Sequence, residues 1–204
     1  MRVVALSSGG VDSSVTMLLL KKRNCSIFPL FVNYGQLSAE HEWNACQRTC
    51  EFVGLKPERM DVQGFGKLIP SGITSRDCDV EQEAFLPTRN LLFLTLGAAY
   101  GYTKAAHVIA IGLLSNPIFP DQTSDFVQDA QKTISKALGI DITILAPLIS
   151  LDKSDTLRLA RKYGLPIEYT YSCHSGGEKP CGRCISCKER IAAERCLAGN
   201  SSRY

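Results

Sequence analysis

The chain has 204 residues, of which 45% are hydrophobic and 21% are charged, a composition typical of one soluble domain with a sizeable buried core. Its formal net charge of +3 is spread along the sequence, which argues against a nucleic-acid or membrane surface and favours a small-molecule substrate. Residues 1–6 contain only about five apolar residues before a Ser/Gly turn, too few for a signal peptide or a spanning helix. We therefore expect a cytoplasmic protein.

Predicted strands and helices alternate along the chain. Short apolar or β-branched runs bounded by turn residues predict strands at residues 2–6, 26–32, 59–62, 107–112 and 143–146. Helical spacing predicts helices at residues 12–22, 39–53, 89–102, 125–138 and 154–163. Gly54, Gly139 and Gly164 are placed as helix stops. This alternation predicts an α/β fold with a doubly wound, parallel five-stranded sheet.

Two stretches depart from this alternation. Residues 64–85 have no clear period, and we expect them to form an irregular loop near the active site. After Gly164 the pattern changes to a cysteine-rich knuckle, followed by a final helix from about Lys188 to Leu197. We therefore divide the chain into a main α/β domain, residues 1–165, and a C-terminal segment, residues 166–204, that packs on it as a single structural unit.

A phosphate-binding loop is predicted at residues 7–14, Ser-Ser-Gly-Gly-Val-Asp-Ser-Ser, between the first strand and the first helix. Free backbone N–H groups and the helix dipole point to the same place there, and glycines let the backbone approach a phosphate. The loop lacks the lysine of a Walker motif and the third glycine of a dinucleotide fingerprint. The residues expected to bind phosphate are Ser8, Gly9, Gly10, Asp12, Ser13 and Ser14.

The string Ser-Gly-Gly-x-Asp-Ser at residues 8–13 resembles the signature of the PP-loop ATP pyrophosphatases. The resemblance implies that ATP is a co-substrate and is cleaved between its α and β phosphates, giving AMP and pyrophosphate. The plainer alternative is an ordinary helix N-cap made by serine and glycine.

Four of the nine cysteines follow the spacing C-x7-C-x2-C-x2-C with glycines between them: Cys173, Cys181, Cys184 and Cys187. Close pairs of thiolates separated by tight turns suit tetrahedral Zn²⁺, and four protein ligands make a closed, structural site. An iron–sulfur cluster is the competing use of four thiolates. His174 adjoins the first ligand but is not assigned to the metal, because a neighbouring side chain usually points away.

The other five cysteines permit two interpretations. Cys46 and Cys50 lie four residues apart on a predicted helix and Cys25 begins a strand, positions that favour small buried residues over a sulfur-transfer site. Cys78, in the irregular segment, is the one whose placement would suit catalysis, and Cys196 lies in the final helix.

The segment at residues 171–187, which contains the cysteine cluster, resembles the zinc signature of the 7-cyano-7-deazaguanine synthases, the QueC-type enzymes. Three further stretches resemble the same family in the same order: residues 33–36, Asn-Tyr-Gly-Gln; residues 85–94, which contain Pro-Thr-Arg-Asn-Leu; and Pro147-Leu148 followed by Lys153. The resemblance implies an ATP-dependent ligase that converts 7-carboxy-7-deazaguanine and ammonia to a nitrile. It also implies Mg²⁺ at the phosphates and a homodimer.

Four residues are candidates for the chemistry of this site. Lys153 is expected to steady the α-phosphate, Asp12 to steer Mg²⁺ or a loop amide, and Arg89 to bind phosphate through its fork. The plainer alternatives are an exposed lysine, a helix N-terminal acid and a structural ion pair. Gly112 ends the fourth predicted strand, at the sheet edge where open α/β folds bind ligands.

The loop after that strand departs from the family pattern. Phe-Pro-Asp-Gln-Thr at residues 119–123 stands where the family has a Tyr-Pro-Asp-Cys-Arg-like run. Two positions elsewhere in the chain also differ: Val11 stands where the family has a glutamine, and Thr88 stands where it has a glycine. These differences leave open a related enzyme that adenylates another carboxylate or stops at the amide. A third hypothesis is a non-catalytic nucleotide-binding module or an RNA-binding zinc knuckle, although the knuckle lacks the aromatic and basic residues that base stacking requires.

Overall fold

The computed structural model describes the backbone of residues 1–200 and the side chains of residues 1–198. Its sheet has five strands, all parallel, in the order β3-β2-β1-β4-β5. The strands are β1 (Arg2–Leu6), β2 (Ser26–Asn33), β3 (Glu58–Asp61), β4 (Val108–Ala110) and β5 (Thr143–Leu145). The predicted doubly wound parallel sheet is confirmed. β4 is shorter than predicted, since only three of its residues pair with β1.

Helices cover both faces of the sheet. They are α1 (Val11–Lys22), α2 (Ala39–Val53), α3 (Gly64–Leu68), α4 (Arg89–Thr103), α5 (Ser124–Leu138), α6 (Lys153–Lys162) and α7 (Ile185–Asn200), with short 3-10 turns at Pro120–Gln122 and Ile167–Tyr169. Each of the five helices predicted from helical spacing is present, with bounds within one residue of those predicted. No helix among residues 1–200 combines the length and apolar character needed to cross a membrane.

Alternation along β1 divides the core into two layers. Val4 packs into the cluster formed with α4 and α5, whereas Val3 packs into the cluster formed with α1 and α2. The chain builds β1, β2 and β3 outward in one direction and then returns to place β4 on the other side of β1. The carboxyl ends of β1 and β4 therefore flank the crevice where open α/β sheets bind ligands.

The C-terminal segment packs against the main domain through a third apolar cluster. Val11 of α1, Leu157 of α6 and Ala193 of α7 are buried together there. α7 begins three residues before the predicted start because the last Cys-x2-Cys turn is already helical, with the Lys188 amide donating to the Cys184 carbonyl at 3.0 Å. The division at residues 165 and 166 stays a prediction.

The segment predicted to be an irregular loop differs in two ways. Its first five residues form α3, a glycine-containing turn too short to show a period, in which a Cβ at Gly66 would lie 2.4 Å from the Tyr34 carbonyl oxygen. The rest contacts the knuckle: Val80 packs with three of the clustered cysteines, and Glu81 pairs with Lys188. None of its described residues lines the main cavity. Phe85, however, contacts Phe119 of the cavity wall with ring centroids 5.1 Å apart, so the segment lies beside the cavity without bordering it.

Candidate active site

The loop after β1 opens onto a cavity of about 270 Å³ at the crevice between β1 and β4. α1 begins at Val11, and the first N–H groups of any α-helix have no intrahelical partner. Its N-cap residue, Gly10, provides no side-chain hydrogen bond to satisfy them. The Ser13 hydroxyl donates to the Gly10 carbonyl at 3.1 Å and lies 3.3 Å from the Ser8 hydroxyl. Free amides and hydroxyls converging at a helix N-terminus form an anion site.

The structure separates the predicted phosphate-binding residues into two groups. Four of them line the cavity: Ser8, Gly10, Asp12 and Ser13. Gly9 and Ser14 support the loop from behind. Gly9 has φ +75°, and a Cβ there would lie 2.5 Å from the backbone of α2, while the buried Ser14 hydroxyl donates to the Gly10 carbonyl at 2.9 Å.

Lys153 and Asp12 meet in the cavity although 141 residues separate them in sequence. The Lys153 Nζ donates to Asp12 Oδ2 at 2.6 Å, and their side chains are only 12% and 24% exposed. The interpretation of Lys153 as an exposed lysine is therefore wrong. Asp12 Oδ1 is buried and has no hydrogen-bond partner among the described residues. This oxygen is open to a cation or a ligand N–H group.

Gly112 follows β4 and lies against the start of α1. A Cβ at Gly112 would be 3.1 Å from the Asp12 carbonyl carbon and 3.2 Å from the Ser13 nitrogen. The absence of a side chain thus lets the end of β4 approach the phosphate loop closely, and Gly112 forms part of the cavity wall.

Arg89, the first residue of α4, also lines the cavity. The alternative that Arg89 forms a structural ion pair finds no support, because no carboxylate among residues 1–198 pairs with it. The preceding residue, Thr88, adopts φ +61°, the left-handed region that favours the glycine of the family pattern. Asn90 donates from its amide and its side chain to Asp121 at 3.0 Å each, which ties the loop after β4 to α4.

Several cavity residues were not predicted from the sequence, and His174 is the most informative. Its Nε2 lies 2.9 Å from the Ser186 hydroxyl, while its buried Nδ1 has no hydrogen-bond partner among the described residues. Burial, aided by the positive charges of Arg89 and Lys153, lowers the pKa of His174 to about 4. The ring is therefore neutral at physiological pH and offers a hydrogen bond rather than a charge.

Two unpredicted carboxylates also line the cavity. Burial raises the pKa of Glu189 on α7, and the nearby Lys153 charge opposes the rise. Burial likewise raises the pKa of Glu42 on α2, against hydrogen bonds from Ser38 and Gln36. Neither residue belongs to a short motif. Their positions depend on how α2 and α7 pack around the crevice, which spacing along the sequence does not reveal.

The four clustered cysteines converge as predicted. Their Sγ atoms all lie within 4.8 Å of one another, and Cys173, Cys184 and Cys187 are buried. A tetrahedral Zn²⁺ with bonds of about 2.3 Å requires sulfur separations of about 3.8 Å, so the cluster fits a four-thiolate metal site after small adjustments. Backbone amides donate to sulfur from Cys181 to Cys173 at 3.3 Å and from Cys184 to Cys181 at 3.4 Å, as thiolate ligands favour.

The remaining cysteines lie outside both sites. Cys46 and Cys50 are buried in the core, in agreement with their predicted packing role. Cys25 packs at the edge of the same cluster, and Cys78 is partly buried outside the cavity lining. The structure thus gives no catalytic role to Cys78.

The parallel sheet, the phosphate loop at its switch point and the C-terminal four-cysteine cluster together define a member of the PP-loop class. A family model described as "Queuosine biosynthesis protein QueC" matches residues 2–196. The chain belongs to this family.

Two curated relatives support that assignment. A "7-cyano-7-deazaguanine synthase" of Caldicellulosiruptor bescii is 31% identical over 204 residues, covering 95% of this chain and 92% of its own length. A "7-cyano-7-deazaguanine synthase 2" of Desulfitobacterium hafniense is 33% identical over 203 residues, covering 93% and 87%.

Solved structures show the same fold at low identity. An NMN synthetase from Francisella tularensis aligns with TM-score 0.57 and 14% identity over 97% of this chain and 76% of its own. The U34-tRNA thiolase NcsA from Methanococcus maripaludis, solved with its [4Fe-4S] cluster, aligns with TM-score 0.52 and 16% identity over 97% and 73%.

Proposed function

We propose that the protein is an ATP-dependent ligase that converts 7-carboxy-7-deazaguanine and ammonia to 7-cyano-7-deazaguanine. The observation that carries the proposal is that the phosphate loop, the Lys153–Asp12 pair and Arg89 all line the same cavity. Family membership and the names of the relatives support the choice of substrate.

In the first half of the reaction, the substrate carboxylate attacks the α-phosphate of ATP and pyrophosphate leaves. Ammonia then adds to the acyl adenylate, loses a proton and expels AMP, leaving the primary amide. In the second half, the amide oxygen attacks the α-phosphate of another ATP and expels pyrophosphate. Loss of both amide protons and of AMP, which carries away the amide oxygen, then gives the nitrile. Both halves need positioning and charge neutralisation more than covalent help from the protein.

The residues are suited to these demands. Amides and hydroxyls of the loop from Ser8 to Ser13 would hold the leaving pyrophosphate. Lys153, fixed by Asp12, would neutralise charge that develops at the α-phosphate, and Arg89 would bind phosphate or carboxylate oxygens. The partnerless Oδ1 of Asp12 fits a ligand position for Mg²⁺, which would neutralise phosphate oxygens.

The four-cysteine cluster is proposed to hold structural Zn²⁺, because it offers four thiolates and no open position. An iron–sulfur cluster is the alternative. We further propose a homodimer, on the resemblance alone, and a cytoplasmic location, as the sequence analysis expects.

A different carboxylate, or a reaction that stops at the amide, is the second candidate. The observation that favours it is that Phe119 and Gln122, in the loop that departs from the family pattern, line the cavity. Gln122, however, uses its Oε1 to accept the amides of Ile118 and Phe119 at 2.8 and 3.0 Å. It therefore braces the loop.

Metal-loaded protein incubated with Mg-ATP, ammonium and 7-carboxy-7-deazaguanine should form AMP together with the nitrile, measured by mass spectrometry of nucleotides and deazapurines. AMP with only the amide, or AMP only with another acid, would favour the second candidate. ATP left intact with every acid tried would refute the enzymatic proposal and leave a purely nucleotide-binding role.

Replacing Lys153 with alanine should slow AMP formation about 100- to 1000-fold, the usual effect of losing one charge-stabilising group. Ser13→Ala should cost about tenfold, because one hydroxyl is lost but the loop amides remain. Lys132→Ala, an exposed lysine paired with Asp129 on the surface, is the matched control and should retain full rate. Full AMP formation by both Lys153→Ala and Ser13→Ala would show that the site assignment is wrong.

A further inference from the structure

Glu42 is a cavity carboxylate that the proposed phosphate chemistry does not use. Two neighbouring side chains fix its position: the Ser38 hydroxyl donates to Oε1 at 2.6 Å, and Gln36 Nε2 donates to Oε2 at 2.9 Å. Gln36 is itself oriented by accepting the Tyr34 amide at 2.9 Å. Ser38 and Gln36 are only 2% and 4% exposed. The carboxylate is thus held rigidly while it borders the cavity.

The hydrogen-bonding capacity of Glu42 is not exhausted by these neighbours. Each carboxylate oxygen accepts one hydrogen bond from a side chain and has room for another. Among residues 1–198, no lysine or arginine lies close enough to form an ion pair with it, although the positive charge of Arg89 opposes the rise that burial causes in its pKa. A carboxylate in a partly desolvated wall is costly unless N–H donors or a cation compensate it. The missing donors are those that a ligand would bring.

Aromatic rings line the same cavity as this carboxylate. Burial raises the pKa of Tyr34 to about 12, and burial also raises the pKa of Tyr171; the negative charge of Glu42 contributes to both rises, which places it near both phenols. Tyr34 and Phe93 contact each other with ring centroids 5.2 Å apart, and Tyr171 stacks on His41 at 5.0 Å. Tyr34, Phe93 and Tyr171 all line the cavity. Such surfaces suit a flat heterocycle.

A fixed carboxylate pairs best with two parallel N–H donors. A guanine-type ring presents such a pair, its ring N–H and the adjacent exocyclic amino group. An adenine ring presents an amino group beside a ring nitrogen that is an acceptor, so its lone pair would face the carboxylate. A fixed carboxylate at this position would therefore discriminate between the two classes of base that the proposed reaction brings into one cavity.

We propose that Glu42 is the specificity-determining residue that binds the ring N–H and exocyclic amino group of a guanine-type heterocycle. This inference rests on the proposed function, since 7-carboxy-7-deazaguanine carries this edge. Glu42 is a binding residue whose contact with Gly9 of the phosphate loop is made by its backbone, so loss of its carboxylate should weaken binding of the heterocycle and leave nucleotide binding unchanged.

The test is equilibrium binding by calorimetry, without ATP, of 7-deazaguanine and of 7-deazahypoxanthine, which lacks the exocyclic amino group. The unaltered protein should bind 7-deazaguanine at least tenfold more tightly, because the analogue leaves one buried acceptor unpaired. Glu42→Gln should reduce this preference below threefold. Glu40→Gln, an exposed residue on the same helix, should keep it.

The inference would be overturned if the unaltered protein bound both ligands equally or bound neither. It would also be overturned if Glu42→Gln weakened the binding of both ligands equally, or if that variant lost affinity for a non-hydrolysable ATP analogue. The comparison on the unaltered protein needs no folded variant. Because no ATP is present, the outcome is independent of catalysis. Selective binding without AMP formation would refute the proposed function alone, and AMP formation with unchanged selectivity in Glu42→Gln would refute the Glu42 inference alone.

Discussion

Removing the metal from the four-cysteine cluster should loosen two parts of the molecule at once. A four-thiolate zinc site contributes on the order of 10 kcal/mol to ordering its segment. The cluster also supports a region distant in sequence, because Val80 packs among the cysteines and Glu81 pairs with Lys188. Without the metal, the buried sulfurs lose the ion that holds them together, and this support weakens. We therefore expect the C-terminal segment and residues 71–83 to become accessible together.

Tryptic cleavage after Arg76, an exposed residue of that region, measures this coupling. Cys184→Ser, at a fully buried ligand, should lower metal affinity at least 100-fold and accelerate the cleavage at least tenfold, as should a chelator. Cys196→Ser, on the same helix but exposed and outside the cluster, should change neither. Unchanged cleavage in metal-free protein would show that the two regions are independent.

Metal analysis of the purified protein tests the identity of the ion. About one zinc per chain without visible absorbance would support the structural zinc site. Iron, sulfide and a broad visible absorption would instead identify an iron–sulfur cluster and contradict the zinc proposal.

Features encoded in local sequence were predictable. The sheet follows from short apolar runs, because a strand buried on both faces must be apolar throughout. The phosphate loop and the cysteine cluster follow from residue types whose spacing is fixed by their chemistry, as at residues 8–13 and 173–187. α3 was missed because five residues, two of them glycine, are too few to display a helical period.

The rest of the site depends on packing between distant segments. Lys153 was predicted to contact phosphate, but its pairing with Asp12 across 141 residues is a property of how α6 meets α1. Glu42 borders the cavity because α2 runs directly behind the phosphate loop, and His174 does so because the turn after Cys173 faces α7. Their residue types are common on protein surfaces, so only the fold distinguishes them from solvated side chains.

A single methyl group added at Gly9 should disable the phosphate loop. The residue adopts φ +75°, and a Cβ there would lie 2.5 Å from both the Glu42 carbonyl oxygen and the Cys46 nitrogen. These are backbone atoms of α2, whose positions are held by its hydrogen bonds, so neither can yield by rotating a side chain. Left-handed strain costs about 1–2 kcal/mol, and overpacking costs about 1–3 kcal/mol more. The total loss of stability for Gly9→Ala is therefore about 2–5 kcal/mol.

Gly139→Ala separates the two contributions. Gly139 ends α5 with φ +67°, and no atom lies within 4 Å of its Cβ position, so this variant carries the left-handed strain without the clash. It should lose about 1–2 kcal/mol and keep its rate of AMP formation. Gly9→Ala should lose more stability in denaturant titrations and also lose at least 100-fold in rate, because relief of the clash moves the loop away from α2 and displaces its amides. If the two variants matched in both measurements, the loop would not be fixed by its contact with α2, and its proposed role in holding pyrophosphate would lose its structural basis.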